Sequence, residues 1–163
     1  MNITLKTVLF AAVVTVLAGI AGAETPKSDP AAPAAAATIK QIEKEMGFVP
    51  DFIRAIPASL LPSFWASAEQ FSMNPTTALD GKTKELIGLA VAAQIPCDYC
   101  VIFHTEAARL NGASETEIRE AVGAASLTRQ ASTLLNGLQV DKAQFKKDIA
   151  RIVKSARDAQ AHK

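Results

Sequence analysis

Cys97 and Cys100 are the only cysteines of the chain, and His104 follows them within the stretch Cys97-Asp98-Tyr99-Cys100-Val101-Ile102-Phe103-His104. Two thiols separated by two residues can close a small disulfide ring or share a soft metal ion. If the stretch is helical, His104 lies one turn beyond Cys100 on the same face, because residues i and i+4 are neighbours there. An imidazole within reach of a thiol can take its proton, and the thiolate is the reactive form. Glu85, separated from Cys97 by eleven residues, is a fourth chemical group in range of the argument. Leu89 and Ala92 share its side of a helix, so its carboxylate sits at the edge of an apolar face. From there it can pair at the surface with Lys82 or point into the cysteine site.

Several chemistries compete for these residues. A haem-attachment motif needs histidine directly after the second cysteine, and Val101 stands there. A thioredoxin-type dithiol needs a βαβ setting, and the surroundings are helical in pattern. A structural zinc site needs four ligands, of which Cys97, Cys100 and His104 supply three and Glu85 alone could complete the set. A structural disulfide inside one helical turn would constrain little of the unfolded chain. A redox-active dithiol is the reading the residue types favour, with structural disulfide and zinc still open.

The elements that must hold the site can be read from caps and periodicity. Asp80 is a good N-cap for a helix over residues 81–94, with Leu86, Leu89, Ala90 and Ala93 on its apolar face. Pro96 breaks the chain and the next helix starts at about Cys97, running to Leu110 or Asn111 with Gly112 as its stop. Cys97 is thereby placed in the first turn, where free backbone N–H groups and the helix dipole favour an anion. Ser114-Glu115-Thr116-Glu117 is a capping box opening a helix with Ile118, Ala121, Val122 and Ala125 inward, continuing past Gly123, after a kink or directly, to Asn136-Gly137. Asp141 caps a last helix with Phe145, Ile149, Ile152 and Val153 inward and Lys146, Lys147, Lys154 and Arg157 in solvent.

Upstream, Thr38 is read as the cap of a short helix, Ile39 to Met46, ended by Gly47. Phe48-Val49-Pro50-Asp51-Phe52-Ile53 follows as an apolar clasp or a substrate-entrance lining. A further helix begins near Pro57 and Ser59, with Leu60, Leu61, Phe64, Ala68 and Phe71 at helical spacing and Trp65 as a core residue, and ends at Asn74-Pro75. No strand pattern or fixed-period repeat appears. About six helices in a single domain make an all-α class.

Residues 1–23 read as a secretory signal: Lys6, an uncharged apolar run from Val8 to Ile20, and the small-x-small site Ala21-Gly22-Ala23. The run is short for a bilayer span. Residues 24–37 carry Pro26, Pro30 and Pro33 among alanines and read as a linker, leaving 38–163 as the domain. A periplasmic or secreted location follows, where a Cys-x-x-Cys pair tends to the disulfide unless something reduces it. With 17 basic and 16 acidic residues the charge gives no reason to expect nucleic acid as a partner. His162 falls in a tail and is given no role.

Glu85, eleven residues, Cys97-Asp98-Tyr99-Cys100, three residues, His104 resembles the signature of the alkylhydroperoxidase D / carboxymuconolactone decarboxylase-like superfamily. The run Ala107-Ala108-Arg109-Leu110-Asn111-Gly112-Ala113-Ser114 and the upstream Gly47-Phe48-Val49-Pro50-Asp51-Phe52 are also similar to it, so the likeness covers most of residues 38 to 140. The resemblance implies an all-α fold of the alkylhydroperoxidase D type, a homo-oligomer (trimer or hexamer), and a thiol-dependent peroxidase acting on a small hydroperoxide without metal or cofactor. It implies that Cys100 attacks the peroxide, Cys97 resolves the sulfenic acid, and Glu85 and His104 relay the proton. The best-known members carry histidine where Tyr99 stands, which shortens the relay here. They are cytoplasmic and reduced by a lipoylated partner, so an exported relative needs another dithiol reductant, which the sequence does not identify. Members that decarboxylate lactones lack the cysteine pair. Thiol–disulfide exchange with exported proteins, or a non-enzymatic helical module with a structural disulfide, are the alternatives.

Overall fold

In the computed structural model residues 29–161 are described. The expected secretory signal, residues 24–28 of the expected linker and His162 lie outside them. All regular structure among the described residues is helical: α1 (Ala32–Met46), α2 (Asp51–Arg54), α3 (Leu61–Ser67, continuing as a π-helical turn, Ala68–Ser72), α4 (Gly81–Gln94), α5 (Asp98–Leu110), α6 (Glu115–Gly137) and α7 (Lys142–Ala161). None of these helices is long and apolar enough to cross a membrane. The chain divides into two units between Leu61 and Pro62.

In the first unit α1 starts at Ala32, so residues 32–37, expected as linker, are helical. Pro33 sits in the first turn, where its missing N–H is no loss and its fixed φ suits a helix. Thr38 is therefore no cap; it is buried inside α1 with its hydroxyl donating to Ala34 O at 3.1 Å. Gly47 ends the helix as expected, at φ 81°, its N–H donating to Glu43 O. In the apolar clasp Val49 and Ile53 are buried while Phe48 and Phe52 are exposed.

The second unit carries the site. Its core is built where α4, α5 and α6 meet: Leu89, Ala108 and Ile118 are buried together, with Leu86, Val101 and Ala113 packed against them. The small residues of α4 let α5 approach closely. A Cβ on Gly81 would lie 2.2 Å from Asn111 Oδ1, and a Cβ on Gly88 would lie 2.5 Å from the His104 ring. Both distances are well inside van der Waals contact, about 3.5–4.0 Å. Seven residues up α4 correspond to seven residues down α5, as an antiparallel pair requires.

Polar contacts fix the same three helices. Asp80 caps α4 by accepting from Thr83 N at 2.7 Å, and the capping box of α6 is complete, with Ser114 and Glu117 bonding reciprocally. Lys82 Nζ donates to Glu117 Oε1 at 2.7 Å, joining α4 to α6. Arg109 Nε donates to Glu115 Oε1 at 2.6 Å, joining α5 to α6. Lys84, buried rather than solvated, donates to Phe71 O and Asn74 O at 2.7 Å each and so caps the carbonyl end of the α3 π-helical turn.

Glu117 gives this assembly a pH signature. The Lys82 ammonium, then the Ser114 N–H and hydroxyl, hold its carboxyl down at about 2. A carboxyl depressed in the folded state adds stability that is complete above the unfolded value of 4.5 and is lost as pH falls towards 2. Denaturation midpoints of wild type and Glu117→Gln are expected to differ most at neutral pH and to converge as pH falls through that window. A gap independent of pH would show that the contact does not couple to folding.

Among the described residues the expected all-α class holds, with seven helices against about six, because Asp51–Arg54 forms one turn of its own. Of the two readings at Gly123 the direct one holds, since α6 is one uninterrupted helix. Two expected faces change. In α3 the buried residues are Leu61 and Trp65, whereas Leu60, Phe64 and Phe71 are exposed. The π-helical turn inserts an extra residue into the period and carries Phe71 off any single stripe. Finally, Phe145, Ile149, Ile152 and Val153 are not inward: each is at least 40% exposed, and α7 has no buried residue. Nothing in this unit covers that stripe.

Candidate active site

Glu85 comes from the second turn of α4. It is buried, 6% exposed, because Leu89 and Ala92 on the same side bury that face against α5. His104 lies on α5 with its imidazole crossing Gly88 of α4. The two meet: His104 Nδ1 and Glu85 Oε2 are 2.6 Å apart, a charge-assisted hydrogen bond. With Glu85 as carboxylate, Nδ1 is the donor and Nε2 is left as the ring's free lone pair. The surface alternative for Glu85, pairing with Lys82, is set aside because Lys82 reaches Glu117 instead.

The cysteines stand at the other end of the α4–α5 connection. α4 ends with Ile95 donating to Val91 O, and the Cys97 N–H donates to Ala92 O at 3.1 Å, so the chain turns sharply at Pro96. Cys97 is the N-cap of α5, one residue before the position expected from sequence, and its Sγ accepts from Cys100 N at 3.3 Å. Cys97 and Cys100 form a disulfide with Cα atoms 5.2 Å apart. Cys100 is one helical turn from His104 on α5, as the i, i+4 spacing dictates. α6 secures the turn: Arg129 donates to Gln94 Oε1 at 2.6 Å and to Gln94 O at 2.8 Å, and Gln94 donates to Ala125 O.

The helix pair that carries the site exposes several large apolar side chains. Tyr99, Ile102 and Phe103 on α5, Ile87 and Val91 on α4 and Ile95 just after it are all exposed, Tyr99 at 87%. Among the described residues no group of three or more His, Cys, Asp or Glu side chains is arranged to hold a metal ion. The thiols that a zinc site would need are joined to each other.

Glu85, Cys97, Cys100 and His104 thus occupy one unit and one helix pair, with Glu85 on His104 and Cys97 on Cys100. Gly88 was missed in the sequence. Its signal was available: a glycine interrupting a helical pattern, three residues after the carboxylate.

The model of the carboxymuconolactone decarboxylase family matches residues 60–143, just over half of the chain. The chain belongs to that family. The crystal structure of the alkylhydroperoxidase AhpD core from Rhodospirillum rubrum superposes with a TM-score of 0.60 at 31% identity, covering 69% of this chain and 87% of that one. The all-α fold is therefore that of the AhpD core. "Uncharacterized protein 4 in cox locus" of Paracoccus denitrificans is 42% identical over 52 residues, 32% of this chain and 47% of that protein, so the match spans about half the length of that relative. The family match begins at the end of the first unit and takes in all of α3, α4, α5 and α6.

Proposed function

We propose that the chain is a thiol-dependent peroxidase of exported type, working through Cys100. The observation that carries this reading is the 2.6 Å Glu85–His104 hydrogen bond one helical turn from Cys100. Glu85 orients the imidazole by accepting from Nδ1, and Nε2 accepts the Cys100 thiol proton. The thiolate attacks the peroxide oxygen: the S–O bond forms, the O–O bond breaks, and the leaving alkoxide takes a proton to give an alcohol. Cys100 is then a sulfenic acid. The Cys97 thiol attacks its sulfur, closing the disulfide and releasing water. A dithiol reductant supplies two electrons and two protons to reopen it. Membership of the family and likeness to the AhpD core support an oxidoreductase; the residue roles and the export are the finer part of the proposal.

The oxidised ring at the exposed N-terminus of α5 favours a second reading, thiol–disulfide exchange with exported proteins. The exposed apolar side chains of the same helix (Tyr99, Ile102, Phe103) suit a polypeptide. Two assays separate the readings. Consumption of an alkyl hydroperoxide with dithiothreitol as electron source is expected to be fast and catalytic, with no insulin reduction. Insulin reduction without peroxide consumption would replace the first reading with the second.

Self-association belongs to the proposal as well. The uncovered stripe Phe145, Ile149, Ile152 and Val153 on α7 fits burial in a homo-oligomer, a trimer or hexamer. A monomer mass by light scattering would remove this part of the reading and leave the chemistry untouched.

A further inference from the structure

Glycine inside a helix costs stability relative to alanine. Gly88 nevertheless stands midway along the 14-residue α4, one turn after Glu85 on the same side. The His104 ring lies directly over it. A Cβ at residue 88 would be 2.5 Å from both Cε1 and Nδ1 and 2.9 Å from Cγ, so an alanine and the imidazole cannot keep their present positions together. Of the two, the imidazole moves. It ends a side chain that turns about two bonds, whereas α4 is held by the buried Lys84, Leu89 and Ala92. Relieving the overlap takes about an ångström, and that much is enough to carry Nδ1 from 2.6 Å beyond the hydrogen-bonding range to Glu85.

We propose that Gly88 is a positioning residue for the Glu85–His104 pair: its missing side chain lets the imidazole lie against α4 at the depth where Nδ1 meets the carboxylate. The effect on rate rests on the reading of His104 as acceptor of the Cys100 proton; the effect on the hydrogen bond does not. Gly88 touches no reacting atom and acts through His104. Alanine at this site favours the helix, but it leaves the buried Glu85 carboxylate without the imidazole, which costs at least as much as the helix gains.

The test uses the full chain with Gly88→Ala, His104→Gln and the two combined. In wild type the Nδ1 proton held by Glu85 is expected as a downfield, slowly exchanging resonance, absent from Gly88→Ala. The melting temperature of Gly88→Ala is expected to lie at or modestly below that of wild type. Dithiothreitol-driven hydroperoxide reduction falls on the order of 10²-fold in Gly88→Ala, as in His104→Gln, and no further in the double variant. A retained resonance with a wild-type rate, or losses that multiply in the double variant, overturn the proposal. If wild type reduces no hydroperoxide, the peroxidase reading fails and the resonance alone decides the role of Gly88. If Gly88→Ala does not fold, His104→Ala is added to it. Recovery of the fold supports the ring contact, and failure to recover overturns it.

Discussion

Cys100→Ser is expected to abolish dithiothreitol-driven hydroperoxide reduction, while Cys97→Ser, reduced beforehand and then freed of dithiothreitol, keeps a single round of peroxide cleavage and stalls. The asymmetry follows from position. Both sulfurs sit at the start of α5, but only Cys100 has an imidazole one turn further along the same helix, itself held by Glu85. A serine hydroxyl at residue 100 is a far weaker nucleophile than a thiolate, so no slow residual turnover is expected. Cys97, the N-cap, has no such base, and in the proposed mechanism it closes the ring. In Cys97→Ser the sulfenic acid at Cys100 has no resolving partner within the chain and accumulates. Equal and complete loss of the first round in both variants would show that the two sulfurs do not divide the work this way.

The second large effect is on stability. Leu89 is 1% exposed and sits where α4, α5 and α6 meet, with Ala108 and Ile118 as its buried neighbours. Leu89→Ala removes the side chain that holds these helices together, and a loss of about 2–5 kcal/mol is expected for a fully buried leucine. Denaturant unfolding at one fixed protein concentration measures it, since self-association would add to the apparent stability. A loss below about 1 kcal/mol would mean that the site collapses around the missing atoms or that the helices are held elsewhere. The same substitution is expected to weaken the Glu85–His104 bond, because Glu85 and Leu89 are one turn apart on α4.

Most of what positions the site was legible because it is local. Asp80, Gly47, Gly112 and the Ser114–Glu117 box announce helix ends through their own side chains or φ angles, and each occurs where expected. The Cys100–His104 spacing needs nothing beyond helical geometry. Glu85 was the first residue to need more: its partner is 19 residues away on another helix, and periodicity could place it only at the edge of an apolar face. Gly88 needed more still, since its role is a close approach and a glycine shows no contact in sequence.

The misjudged faces have a common cause. A helical period marks an apolar stripe without saying what covers it. In α3 two stripes lie side by side, and the buried one is Leu61 and Trp65. In α7 the stripe is present and the chain's second unit offers nothing over it. Proline-rich sequence before Thr38 likewise reads as linker until one notes that Pro33 falls in a first turn, the position in a helix that tolerates it.

The central claim is that Cys100 reduces peroxide as a thiolate deprotonated by His104. Mass-spectrometric trapping of the sulfenic acid tests it most directly. Reduced Cys97→Ser protein is treated with an alkyl hydroperoxide and a dione trap, alongside the same variant carrying His104→Gln. The account predicts an adduct at Cys100 that forms rapidly with His104 present and on the order of 10²-fold more slowly without it. No adduct at Cys100, or adduct formation at the same rate in both proteins, would contradict it.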